Sequence, residues 1–180
     1  MKAVMKSVSP RICEKVANGN CTILVSKTVP KCEMPFKCYI YATKKAQLQT
    51  IFKKGEWIFS DDHSFGKFDE NIFVKDSLCS WQGKVVGECI IDKIDEIVPD
   101  YNPATAKFYY GYVVDTAATC LSEEELQKYG KNKSLYFWHI SDLKIYGNPK
   151  ELGEFFTPMG KRPSYMVERP PHSWFYVEEL

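Results

Sequence analysis

Moving a proton takes a carboxylate or an imidazole with tunable surroundings, and two residues of this sequence meet that need within strand-like segments. Glu88 interrupts the apolar run of GKVVGECII, so its carboxylate either faces solvent or closes a pocket opposite a base such as Lys84. His139 lies inside FWHIS, where an imidazole could serve as a general base or contact a nucleobase. A hydrogen-bonded core or edge histidine is the plainer alternative. Cys21 could be a nucleophile if a basic neighbour lowered its pKa, but no His or Asn partner can be placed, and a small buried hydrophobe is the default. Asp61, Asp62 and His63 form the tightest carboxylate and imidazole cluster, of a kind that can hold a divalent metal. In so polar a stretch they read as a solvated turn, and no metal site or cofactor is assigned.

A second set suits binding. GNCTILVSKTVPK places Thr22, Leu24 and Ser26 on one strand face and Cys21, Ile23, Val25 and Lys27 on the other. The first face is half polar, as a groove or a solvent edge would be. Tyr39, Tyr41, Tyr136 and Trp138, interleaved with Lys37 and Lys84, have the composition of a base-stacking surface, on which each stacked base contributes about 1–3 kcal/mol. Strand aromatics are also ordinary core residues.

These residues need elements to hold them. KAVMKSV alternates as a strand; Ser9, Pro10 and Gly19 then supply an N-cap, a first helical position and a stop for a short helix that turns Ile12, Cys13 and Val16 inward. PFKCYIYATKK alternates Phe36, Cys38, Ile40 and Ala42 against Lys37, Tyr39, Tyr41 and Thr43, a half-buried strand. Residues 46 to 82 keep no sustained period and read as a long insertion with a short strand pair. In KVVGECIID, Gly87 signals a bulge or a close backbone approach, and KFYYGYVV is expected to pair beside that strand. Ser122 and Glu125 form a capping box, Leu121 and Leu126 a staple, and Gly130 a stop. SLYFWHISDLKIYG is a long strand that bends at Ser141 and Asp142; Asn148 and Pro149 can open one more helical turn, and the Pro-rich tail extends over the domain.

The 180 residues, 44% hydrophobic, can bury one substantial core. No run approaches the roughly 18 apolar residues of a membrane span, so no membrane partner is expected. Seven cysteines without a C-x-x-C pair point to reduced thiols and a cytoplasmic protein. A net charge of +1 argues against a strong sequence-independent grip on a phosphate backbone. The absence of regular βα alternation and of a Gly-rich phosphate loop argues against a doubly wound dinucleotide-binding sheet.

The opening strand, the helix closing on NG, GNCTILVSKTVPK, PFKCYIYATK, GKVVGECIID and FWHISDLKIYGNPKEL together resemble the ASCH family of the PUA-like superfamily, in the manner of its phage and Firmicute members. The similarity covers about residues 2 to 43, 83 to 93 and 134 to 156. It implies an α+β fold: a small PUA-like β-barrel, a strongly curved mixed sheet, with short flanking helices and a cleft between the first helix and the barrel. Residues 1–156 would form this domain, with the insertion, and residues 157–180 an extended tail packed on it.

The resemblance also implies binding of RNA or of a modified base in that cleft, although some members are hydrolases. Of the family's Gly-x-Lys-Thr-x-x-x-Arg signature, Gly19 and Thr22 are present, while Cys21 replaces the Lys and Ser26 the Arg. Lysine-dependent amide hydrolysis through that motif is therefore not expected, and the pocket should be more neutral, suited to a base rather than a phosphate. The expected ligand-binding set is Thr22, Ser26, Lys27, Tyr41, Lys84, Glu88, Trp138 and His139. The alternatives are a nucleoside- or RNA-directed hydrolase using Glu88 or His139, and a prophage protein that binds a protein partner through its tail.

Overall fold

The computed structural model describes residues 2–44, 57–59, 65–67, 81–110, 116–160 and 163–180. Strand β1 (Lys2–Val8) leads into helix α1 (Pro10–Ala17), which begins after the extended N-cap Ser9 with proline in its first turn. Gly19 then takes the left-handed conformation, φ 72°, that a non-glycine residue enters only with strain. β2 (Ile23–Ser26) and β3 (Phe36–Ala42) follow, and Trp57–Phe59 (β4) pairs with Phe65–Lys67 (β5) as a separate ribbon within the insertion. The candidate metal cluster Asp61, Asp62 and His63 lies outside the described residues; among those described, no group of acidic, Cys and His side chains is arranged to hold a metal.

The long β6 (Val85–Ile97) and β9 (Leu135–Lys150) form the backbone of a six-stranded sheet ordered β10, β1, β3, β6, β9, β2, in which β1 and β3 run parallel and all other neighbours antiparallel. β10 (Trp174–Glu178) comes from the C-terminal segment and supplies one edge. Gly87 is needed where β6 meets β9, because a Cβ there would stand 2.5 Å from the Lys144 carbonyl oxygen, beside a slip in strand register. Asp142, with φ 46°, marks the expected irregularity in β9. The extra helical turn falls at Leu152–Glu154, after β9 has run on through Pro149.

The expected barrel closure is not made by backbone pairing: β2 and β10 are the two free edges of the sheet. Side chains tie them together instead. Trp174 Nε1 donates to Thr28 Oγ1 at 2.8 Å, and Tyr176 Oη accepts from the Lys31 N–H at 2.6 Å. The described part of KFYYGYVV does not join β6 either; Lys107–Tyr109 (β8) pairs with Asp100–Asn102 (β7) in its own ribbon.

Helices α2 (Thr116–Thr119) and α3 (Glu123–Gly130) pack beside β2 and β8. The capping box on α3 is complete, with the Ser122 hydroxyl accepting from the Glu125 N–H and Glu125 accepting from the Ser122 N–H. The left-handed residue after the helix is Lys131, not Gly130. Gly130 has another task, since a Cβ there would overlap the Tyr110 hydroxyl that donates to the Lys133 carbonyl at 2.7 Å.

Both faces of the sheet are covered. Val4, Val8, Cys38, Ile40, Cys89, Ile91 and Trp138 fill the face beneath α1. The opposite face, expected to be wet, holds Tyr39 and Tyr41 in a second cluster with Met5, Val85, Phe155, Val167 and Val177. β3 is therefore buried on both sides, because Phe155 and the C-terminal segment roof the face that alternation alone left open to water.

Candidate functional site

The alternation of β1 sends Val4, Lys6 and Val8 to the face beneath α1, so a lysine enters a position whose neighbours are apolar. Lys6 is 3% exposed. Its Nζ lies 4.4 Å from the centroid of the Trp138 ring, and it has no carboxylate or hydrogen-bond acceptor among the described residues. Burial pushes its pKa down to about 8, against a smaller opposing effect of the Cys38 sulfur. Trp138 Nε1, in the same ring, is buried without an acceptor among the described residues.

Lys6 lines a cleft of about 260 Å³ bounded by the end of β1 and the start of α1, by β2, by Thr119 of α2 and by α3. The α3 wall presents Tyr129; burial raises its pKa and the nearby Ser173 hydroxyl opposes the rise. Ser173 Oγ lies 3.4 Å from Ser26 Oγ, and the Ser173 carbonyl accepts from the Ser7 N–H at 2.8 Å. A line of hydroxyls thus runs from the cleft wall to the seam between the sheet edges. Lys27 Nζ stands 4.5 Å from the Tyr129 ring centroid. Arg11 of α1 is paired with Glu125 of α3, joining the helices across the cleft.

The residues singled out from sequence fall into separate places. Ser26 is fully buried behind the cleft, Lys27 lies over Tyr129, and Trp138 underlies Lys6. Thr22 is exposed, its backbone bonded to Ala118 and Ile140. Tyr41, Lys84 and Glu88 belong to the far side of the sheet. Tyr41 is 2% exposed in the second cluster, its pKa raised by burial and by Glu151. Lys84 pairs with Glu151 at 3.0 Å. Glu88 accepts from Tyr146 Oη at 2.8 Å and has Lys144 and Lys37 at 3.7 and 3.9 Å. His139 Nε2 is 2.8 Å from an Asp95 oxygen that Lys93 also contacts at 2.8 Å; Lys93 first, then His139, holds that carboxyl below its ordinary pKa. Of the proposed stacking set, Tyr39, Tyr41 and Trp138 are buried, so they offer no open ring face.

Sequence reasoning missed Lys6, Tyr129 and Ser173. The one available signal was Lys6 itself, a cation in register with Val4 and Val8. Tyr129 and Ser173 carry none, because only the curl of the sheet brings residues 6, 129 and 173 together.

No protein-family model matches the chain, and no curated protein matches it. Solved structures do. The ASCH protein of Zymomonas mobilis superposes with a TM-score of 0.51 at 13% identity, over 98% of this chain and 88% of that one. Two single-residue mutants of the Zymomonas mobilis protein each give a TM-score of 0.50 at 14% identity, over 99% and 98% of this chain and 92% and 89% of theirs. A likeness that spans nearly the whole of both chains at so low an identity speaks to architecture alone, and on that ground this chain has the α+β fold of the ASCH proteins.

Proposed function

We propose that this protein binds a nucleobase or nucleoside, free or as one splayed residue of single-stranded RNA, in the cleft between α1, α3 and β2. The observation that carries the reading is Lys6, a largely buried side chain on the cleft wall whose ammonium has no acceptor among the described residues. An ammonium held between apolar walls at a cleft is poorly hydrated, and a ligand that supplies an acceptor there gains a charge-assisted hydrogen bond. Apolar Ile12, Leu24 and Leu121 beside the hydroxyl of Tyr129 suit a flat ring with a polar edge. A volume of about 260 Å³ admits one base rather than a duplex, and single-strand readers take bases in this way.

The test is calorimetric titration with nucleosides, short single-stranded RNA and matching DNA at two salt concentrations, with Tyr129→Ala as control. Saturable binding weakened by that variant supports the reading; absence of binding across the panel removes it. A hydrolase reading has one observation in its favour, since an amine with a pKa of about 8 holds a free-base fraction near neutrality. It would work through Lys6, not through Glu88 or His139, both engaged on other surfaces. Turnover of RNA or acylated nucleosides that survives Lys6→Met would remove Lys6 from any such chemistry.

A further inference from the structure

The cleft is bordered by the N-terminus of α1 as well as by Lys6. Val8, Ser9 and Ile12 all line it. This eight-residue helix starts with its partial positive charge uncompensated: Ser9 makes no side-chain cap, no acidic residue occupies the first turn, and the N–H groups of Arg11 and Ile12 have no acceptor among the described residues. Such an end favours an anion, and here a buried ammonium without a counterion lines the same cavity.

The one acidic side chain on the cleft wall does not supply that counterion. Glu125 gives one carboxylate oxygen to Arg11 and the other to the Ser122 N–H at 2.8 Å. Lys27, over Tyr129, adds a positive charge. Among the described residues that line the cleft, the Lys6 ammonium and the first-turn N–H groups of α1 thus have no acceptor, and the carboxylate of Glu125 is already engaged.

We infer that the cleft is an anion site, and that its ligand carries a negatively charged oxygen group, a phosphate or a carboxylate, docked between Lys6 Nζ and the first turn of α1. This rests on the nucleobase-binding reading and narrows it to nucleotides or acid-bearing nucleosides. It reverses the expectation of a neutral pocket, which followed from the missing Lys and Arg of the motif around Thr22; the positive charge enters from β1 and α1 instead.

Calorimetric titration of the full chain with uridine, uridine 5′-monophosphate, 5-carboxymethyluridine and inorganic phosphate tests this, on wild type, Lys6→Met and Lys6→Gln. At least one of the two anionic nucleosides should bind tenfold or more tightly than uridine, and whichever does so identifies phosphate or carboxylate as the group. That advantage, taken as the ratio of affinities within each protein, should shrink to about twofold or less in both variants, and thermal melts will confirm that the variants are folded. Equal affinities for uridine and both anionic ligands would overturn the anion site and leave nucleobase binding standing. An anionic preference that persists in both folded variants would overturn the role of Lys6. Binding of inorganic phosphate alone, or of nothing, would overturn the nucleobase reading itself.

Discussion

Replacing Lys6 by methionine should stabilise this protein at neutral pH. The unbranched methionine can follow the lysine stem beneath α1 without bringing a charge into the core. The pKa of Lys6 falls from 10.5 to about 8 on folding because burial disfavours the ammonium. At about 1.4 kcal/mol per pKa unit, this drop corresponds to roughly 3 kcal/mol of lost stability wherever the lysine is protonated in both states. The face of Trp138, 4.4 Å away, returns about 0.5–2 kcal/mol through its attraction for the cation, so the net gain expected at pH 7 is about 1–3 kcal/mol. The sign follows from proton counting. Between pH 8 and 10.5 the unfolded chain binds more protons at this site than the folded one, so the wild type gains stability as pH rises through that window. Lys6→Met lacks this rise, and its advantage should be full below pH 8 and gone by about pH 10.5. Cys13 and Cys21, whose thiols burial pushes up to about 12, give the opposite slope above their ordinary pKa of 9; they are common to both proteins and cancel in the difference. Urea denaturation at pH 7 and pH 10, followed by tryptophan fluorescence, measures it. A variant less stable than wild type at pH 7, or one whose advantage is the same at both pH values, refutes the account of Lys6 as an uncompensated buried cation.

Glu88→Gln and His139→Ala should leave ligand affinity in the cleft within about twofold of wild type, because Glu88 lies against Tyr146 and His139 against Asp95, away from the cleft lining. Calorimetry with the best-binding nucleoside decides, and a tenfold loss in either would move the site across the sheet. Gly130→Ala should destabilise by about 1–3 kcal/mol through overlap with the Tyr110 side chain, and Tyr110→Phe in the same chain should recover part of that loss. Equal stability of Gly130→Ala and wild type in urea would show that the contact yields freely. Ser122→Ala should cost about 1 kcal/mol by removing the acceptor for the Glu125 N–H. The substitution keeps the backbone N–H at position 122 from which Glu125 accepts, so the α1–α3 ion pair should be unaffected and a double-mutant cycle with Arg11→Ala should show no coupling.

What could be read from the sequence divides along the range of the interactions involved. The ends of α1 and α3 are set by contacts a few residues apart, so Ser9, Pro10 and Gly19, or Ser122 and Glu125, announce them. Gly87 was also legible, since a glycine inside a strand means that something comes close, although that it is the Lys144 carbonyl is a fact of strand pairing. The face of β3 carrying Tyr39 and Tyr41 was misjudged for the complementary reason. Alternation tells which residues share a face, but not whether another part of the chain covers it, and here Phe155, Val167 and Val177 do. The pairing of β7 with β8 instead of β6 is a similar choice between partners that the local pattern does not distinguish.

The cleft is the extreme case. Its charge comes from Lys6 and the first turn of α1, a hydroxyl from Tyr129 with Ser173 behind it, and its ion-paired rim from Arg11 and Glu125. The separation of Arg11 from Glu125 is 114 residues, and that of Ser26 from Ser173 is 147. A motif is a record of chemistry confined to one segment, and around Thr22 this chain has Cys21 and Ser26 where the motif it resembles carries Lys and Arg. Read locally, that difference predicts a neutral site. In the folded protein a lysine on the neighbouring face of β1 and an uncapped helix bring positive charge to the same cleft from another direction. Lys6 in place of a sequence-local cation costs stability, because its ammonium must be buried among apolar residues, and so wild type and Lys6→Met should trade places: the variant the more stable, the natural protein the one that holds an anion. Finding both differences in one pair of proteins would tie the destabilising lysine to function, since packing alone gives no reason to keep it.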